Sequence, residues 1–246
     1  MKRHKDTGLD VATNTGDILT AVNNHAFFTP VDKPNQTHPE FTTYDISCNE
    51  DFALHAKYHE WEKTFEFFRD HPIAMGSFAT KYVNPNLLSF NPQGKIRIRF
   101  SLMPQHKSDL HEPNTSKIID RIKAIDTFIE AGYDVHVNYS PIIVYDGWLE
   151  DYKDLFNMMN EHVENKNQVL SECIFLTHNI KKHTVNLQNN PKTEVDLWVM
   201  SKQEAKRSQY GGENIRYKLG LKSEYIREFK QLHNQIIPWN TIRYIF

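Results

Sequence analysis

The stretch TSKIIDRIKAIDTFIEAGYDVHVNYSPIIV, residues 115–144, reads as a helix handing over to a strand. Ile118, Ile122, Ile125 and Ile129 recur at helical spacing over 115–132. Thr115 or Ser116 can cap the start, and Gly132 stands at the C-cap. From 133 the period changes to that of a strand, broken at Pro141. Just upstream, KIRIRFSLM (95–103) alternates Ile96, Ile98 and Phe100 with Arg97, Arg99 and Ser101, which predicts another strand. Strand, helix and strand in succession form a crossover unit, and crossover units build parallel sheets.

The same rhythm extends in both directions. Upstream lie a short helix at 16–26, a loop at 29–40, a strand at 41–48, an amphipathic helix at 59–70 carrying Trp61, Phe65 and Phe68 on one face, and a strand at 73–80. Downstream lie a helix at 149–163 and a strand at 171–179. Beyond 180 the alternation stops. Residues 192–200, KTEVDLWVM, resemble a strand; YGGENIRYKLG (210–220) reads as a hairpin, 223–237 as an amphipathic helix and NTIRYIF as a closing strand. The expectation is an α/β fold, a partial (β/α)6 TIM-type barrel missing its first strand, with a C-terminal hairpin and helix. The chain opens on a helix with no strand before it, and the division expected is a barrel over 1–180 and an extension over 181–246.

Composition excludes several function classes. The 246 residues carry a net charge of −2, so no global basic field announces nucleic acid. Two cysteines, Cys48 and Cys173, make neither a CxxC motif nor a disulfide framework, and they fit a reducing cytoplasm. No apolar run approaches a membrane span, and MKRHKDTGLD lacks the apolar stretch of a signal peptide. Walker, GxGxxG and GxSxG motifs are missing from the sequence.

In a parallel barrel the C-terminal strand tips face one mouth. Here those tips carry Cys48 to Glu50, Lys81, Ser101, Ser140 and His178. Cys48 is either a reactive thiol or a small core filler. Lys81 is either a site ammonium or a solvated strand end, and Glu50 with Lys81 could also serve an unrelated hydrolase or isomerase. His55 and His59, four apart, have a metal-ligand spacing without HExxH and read as surface histidines, so no metal ligand is assigned.

The ordered set DISCNED, FATKYV, GKIRIRFSLMP, NTSKIIDRIKAIDTFIEAGYDVHVNYSPIIVYDGW, FLTHN and QYGGENIRYK resembles the spore photoproduct lyase family of radical S-adenosylmethionine enzymes, colinearly from about residue 15. The resemblance implies a radical S-adenosylmethionine lyase that repairs a DNA lesion. It places Cys48 on the family's hydrogen-donating cysteine. It places Glu50 (a serine in the family), Lys81, Ser101 and Ser140 on groups that hold S-adenosylmethionine, and Tyr210, Arg216 and Tyr217 in a lesion-contacting hairpin. Gln209 falls where the family has an arginine. The resemblance also implies a [4Fe–4S] cluster and a reducing partner such as flavodoxin or ferredoxin. The CxxxCxxC loop that holds the cluster is not in this sequence. The expectation is therefore a truncated chain that is inactive alone, or a degenerate member that binds nucleic acid without catalysis.

Overall fold

The computed structural model describes residues 12–28, 38–46, 50–207 and 211–246. In chain order the elements are α1 (Thr15–Phe28), β1 (Thr42–Asp45), α2 (Phe52–His55), α3 (Trp61–Asp70), β2 (Ala74–Thr80), β3 (Ile96–Ser101), α4 (Gln105–His111), α5 (Ile118–Glu130) and β4 (Asp134–Ile142). They continue with α6 (Trp148–His162), β5 (Leu170–Phe175), β6 (Thr177–Asn179), α7 (Ile180–Asn189), α8 (Pro191–Leu197), β7 (Gln203–Arg207), β8 (Glu213–Tyr217), α9 (Leu219–Ile236) and β9 (Thr241–Ile245). One sheet has six strands in the order β1-β2-β3-β4-β5-β9, and a second has three in the order β6-β8-β7. The pairs β1–β2, β2–β3 and β5–β9 are parallel. Sheet order that follows chain order is the arrangement expected of a partial (β/α) barrel. Two compact units divide the chain, residues 1–101 with 123–136 and residues 102–122 with 137–246.

In the first unit the core is aromatic. Phe65 and Phe68 of α3, Phe78 of β2, Phe100 of β3 and Phe128 of α5 are fully buried, each worth about 1.5–3 kcal/mol on leaving water. Gly76 is required by that packing. A Cβ there would come within 2.9 Å of Phe68 and Ile96 side-chain atoms. At the start of β3, Arg97 Nε donates to Asp134 Oδ2 at 2.6 Å, and His136 Nε2 lies 3.1 Å from Asp134 Oδ1. Burial pushes the Asp134 carboxyl up, but His136 and Arg97 outweigh it and hold its pKa at about 2. The arginine face of β3 thus meets anions, since Arg99 also reaches Asp45 at 2.5 Å.

In the second unit Tyr139, Tyr152, Phe156, Phe175 and Phe229 pack around α6 and α9. Arg121 is completely buried against Glu112.

Two expectations need correction. Residues 192–200 are not a strand, because most of them form helix α8. Pro191 suits a first helical turn, and the helix lets Glu194 accept from Trp198 Nε1, four residues on, at 3.0 Å. The strand expected over 171–179 is two strands in different sheets, divided at Leu176, whose N–H donates to Ile142. α4 and α7 are helices that the sequence reading left unassigned.

Candidate cofactor and substrate site

The tips of β1 and β2 are joined by one aspartate. Asp51 caps α2 by accepting from Leu54 N–H at 3.2 Å. The same carboxylate accepts from Thr80 Oγ1 at 2.7 Å and from the Lys81 backbone N–H at 2.7 Å. This fixes the segment holding Glu50 beside the end of β2, where Lys81 leaves the strand. An Asp directly before Phe52, Ala53 and Leu54 is a helix-start signal that could have revealed this role.

Glu50 is not a bare carboxylate. Its Oε2 lies 2.9 Å from His55 Nδ1, and its Oε1 lies 2.9 Å from His59 Nε2. His59 also stacks on the Phe52 ring at 5.3 Å. Both histidines, read from the sequence as surface groups, therefore belong to the neighbourhood of Glu50. Among the described residues no group of three or more His, Cys, Asp or Glu is disposed to hold a metal ion. Ser101 ends β3 in the same unit and is buried.

Ser140, Arg216 and Tyr217 lie in the second unit. Ser140 is half-buried near the end of β4 and precedes a cis Pro141. Asn138, two residues earlier on that strand face, keeps a buried Oδ1 with no hydrogen-bond partner among the described residues. Tyr217 is fully buried, and its hydroxyl accepts from Val144 N–H at 2.8 Å. Arg216 is half-exposed and grips Glu204 through Nε and Nη2 at 2.9 and 2.8 Å. His178 sits on β6 rather than at a tip of the parallel sheet. There it stacks on Trp198, and burial lowers its pKa. Cys48, Tyr210 and Gln209 lie outside the described residues. Cys173 is completely buried in β5, and burial pushes its thiol far up, so it is core filler.

A family model described as spore photoproduct lyase matches residues 11–246. The spore photoproduct lyase of Bacillus subtilis (strain 168) is 28% identical over 221 residues, covering 88% of this chain and 61% of the relative. That of Geobacillus sp. (strain Y412MC61) is 31% identical over 179 residues, covering 70% of this chain and 52% of the relative. The chain thus spans little more than half the length of these two relatives. A solved spore photoproduct lyase variant, with bound AdoMet and dinucleoside spore photoproduct, superposes with a TM-score of 0.83 at 25% identity, covering 96% of this chain and 68% of that one. With the family model running through nearly every element that carries these side chains, the chain belongs to the spore photoproduct lyase family.

Proposed function

We propose that this chain forms the cofactor- and substrate-handling part of a radical S-adenosylmethionine enzyme that acts on a DNA lesion. The observation that supports the reading is the Asp51 tie, which joins the residue next to Glu50 to the Thr80 hydroxyl and the Lys81 backbone N–H at the end of β2. The Glu50 carboxylate and the Lys81 ammonium are assigned to the amino acid end of S-adenosylmethionine, which carries one charge of each sign. Ser101, in the same unit, is assigned a hydroxyl contact with the cofactor, and Ser140 is assigned one on the family resemblance alone. When bound, S-adenosylmethionine supplies a 5′-deoxyadenosyl group for hydrogen abstraction. Cys48 is assigned the return of a hydrogen atom to the substrate carbon, breaking its S–H bond as the C–H bond forms. Tyr210 and Arg216 are assigned to the substrate. Tyr217 is assigned a positioning role, because its hydroxyl is already held by Val144.

The residues of this chain do not fit an iron–sulfur cluster. One of its two cysteines is buried in β5, and the sequence has no CxxxCxxC. A cluster, and a reducing partner such as flavodoxin or ferredoxin, would belong to a cysteine-bearing segment outside this sequence, in a reducing cytoplasm. The test is calorimetric titration with S-adenosylmethionine. Saturable binding that weakens in both Lys81→Ala and Glu50→Gln is expected, and binding indifferent to both substitutions overturns the assignment. After iron–sulfur reconstitution this chain alone should release no 5′-deoxyadenosine.

A further inference from the structure

Glu50 stands at the head of a short segment that folds back around it. Asp51 caps α2, whose last residue is His55. Residues Ala56–Tyr58 then make a single 3-10 turn, closed by His59 N–H donating to the Ala56 carbonyl at 2.9 Å. The four-residue spacing of His55 and His59 is therefore not one face of an α-helix. The turn between them brings two different imidazole nitrogens to one carboxylate. His55 Nδ1 lies 2.9 Å from Oε2 of Glu50, and His59 Nε2 lies 2.9 Å from Oε1. The His59 ring is backed by Phe52, which packs on the buried rings of Phe65 and Phe78.

Glu50 Oε2, His55 Nδ1 and His59 Nε2 are closed off from solvent, and no other group among the described residues hydrogen-bonds to them. An ionised carboxylate only accepts, so each facing nitrogen must carry a hydrogen. That gives His55 the Nδ1–H form and His59 the Nε2–H form while the rings are neutral. The other charged groups of the segment are engaged elsewhere. Asp51 takes the Thr80 hydroxyl and the N–H groups of Leu54 and Lys81. Lys57 Nζ sits 4.8 Å from the centroid of the Tyr58 ring, and Glu60 pairs with Lys63 at 3.5 Å on the surface. Lys81 follows the end of β2. Each imidazole that takes a second proton puts a positive charge against the Glu50 carboxylate and cancels part of what it offers a cationic ligand.

We propose that His55 and His59 are positioning residues that clamp Glu50 by both oxygens and set, through their own protonation, how much negative charge it presents to an ammonium group. The clamp itself stands on the contacts just described. Its link to S-adenosylmethionine rests on the assignment of Glu50 in the function proposed above. With both rings neutral, the carboxylate keeps its charge and a free lone pair on each oxygen. With both rings protonated, the cluster is net positive and repels the ammonium. Cofactor affinity should therefore fall as pH falls through the histidine range.

The experiment has two arms, both on the full chain. The first is nitrogen NMR of the labelled histidines without cofactor. His55 should carry its proton on Nδ1 and His59 on Nε2, and Glu50→Ala should return His55 to the Nε2–H form that free histidine side chains favour. His55 protonated on Nε2 in the wild type would overturn the clamp, whatever the cofactor does. The second arm is calorimetric titration with S-adenosylmethionine at about pH 7.5 and about pH 5.5. The wild type should bind about tenfold more weakly at the lower pH. His55→Ala and His59→Ala should each weaken binding about threefold to tenfold at the higher pH. The His55→Asn, His59→Gln double variant keeps an N–H where each facing nitrogen stood but cannot take up a proton. It should bind as the wild type does at the higher pH and lose the pH dependence, which a merely structural role would not produce. A double variant that keeps the wild-type pH profile, while Glu50→Gln still weakens binding, would overturn the clamp alone. Glu50→Gln without effect would overturn the cofactor assignment of Glu50, and the tautomers then decide the clamp.

Discussion

Arg121 and Arg216 are both paired with a glutamate, and they do opposite work. Arg121 of α5 is wholly out of water. Nη1 bonds Glu112 at 3.0 Å, Nη2 donates to Thr115 Oγ1 at 2.7 Å and Ser108 Oγ at 3.3 Å, and Nε donates to the Ser116 carbonyl at 3.0 Å. Glu112 is equally buried. Arg216 of β8 keeps 24% of its side chain in solvent and shares the single carboxylate of Glu204, itself 35% exposed. A guanidinium whose three nitrogens all donate inside the protein, out of reach of solvent, has little left for a ligand. One held by a single exposed partner can exchange that partner for a phosphate. Burial and donor count, rather than the residue pair, separate an anchor from a contact.

The sharpest way to break that comparison is Arg121→Met. It strands Glu112 in a dry site and should cost about 3–5 kcal/mol in urea unfolding, with most of the loss recovered by adding Glu112→Leu. A cost under about 1 kcal/mol would mean that the two arginines are alike. Asp134→Asn comes next. The folded pKa of about 2 lies below the ordinary carboxylate value, so the stabilisation is complete above pH 4 and disappears as pH falls toward 2. The variant should be less stable than wild type by about 2 kcal/mol at pH 7, and the gap should narrow when thermal unfolding is followed below pH 4.

Asp51→Ala removes a helix cap and the acceptor of two further donors. Its expected cost is about 1–2 kcal/mol, together with weaker S-adenosylmethionine binding in the same preparation. Glu204→Gln should change stability by less than about 1 kcal/mol, because the pair it breaks is solvent-screened. It should also tighten oligonucleotide binding, by up to about fivefold, because Arg216 is released to the phosphate. Weaker binding would show that Glu204 orients Arg216 rather than competing for it.

The parallel sheet was legible because its signals are periodic and local. The isoleucine stripe of α5 and the Ile96, Ile98, Phe100 alternation of β3 each declare their element within a dozen residues. Residues 192–200 misled because Val195 and Leu197 alternate with polar neighbours as in a strand, while the helix is settled by Pro191 and by Glu194 finding Trp198. Val195 is in fact 65% exposed, so the alternation marked no buried face. Glu50 and Lys81 are site candidates in the sequence because each follows a strand. The role of Asp51 depends on contacts 29 and 30 residues away, a distance that spacing does not encode. The histidines against Glu50 went unrecognised because four-residue spacing is common on exposed helices, and the carboxylate between them comes from the turn before α2.

The bond from Val144 N–H to the hydroxyl of Tyr217 gives one amide a diagnostic use. That proton can be lost to heavy water only when β8 withdraws its tyrosine, since no strand or helix neighbour holds it. Its exchange lifetime, read by deuterium labelling of the segment after β4, would therefore time how often the small sheet lifts from the residues that follow Ser140.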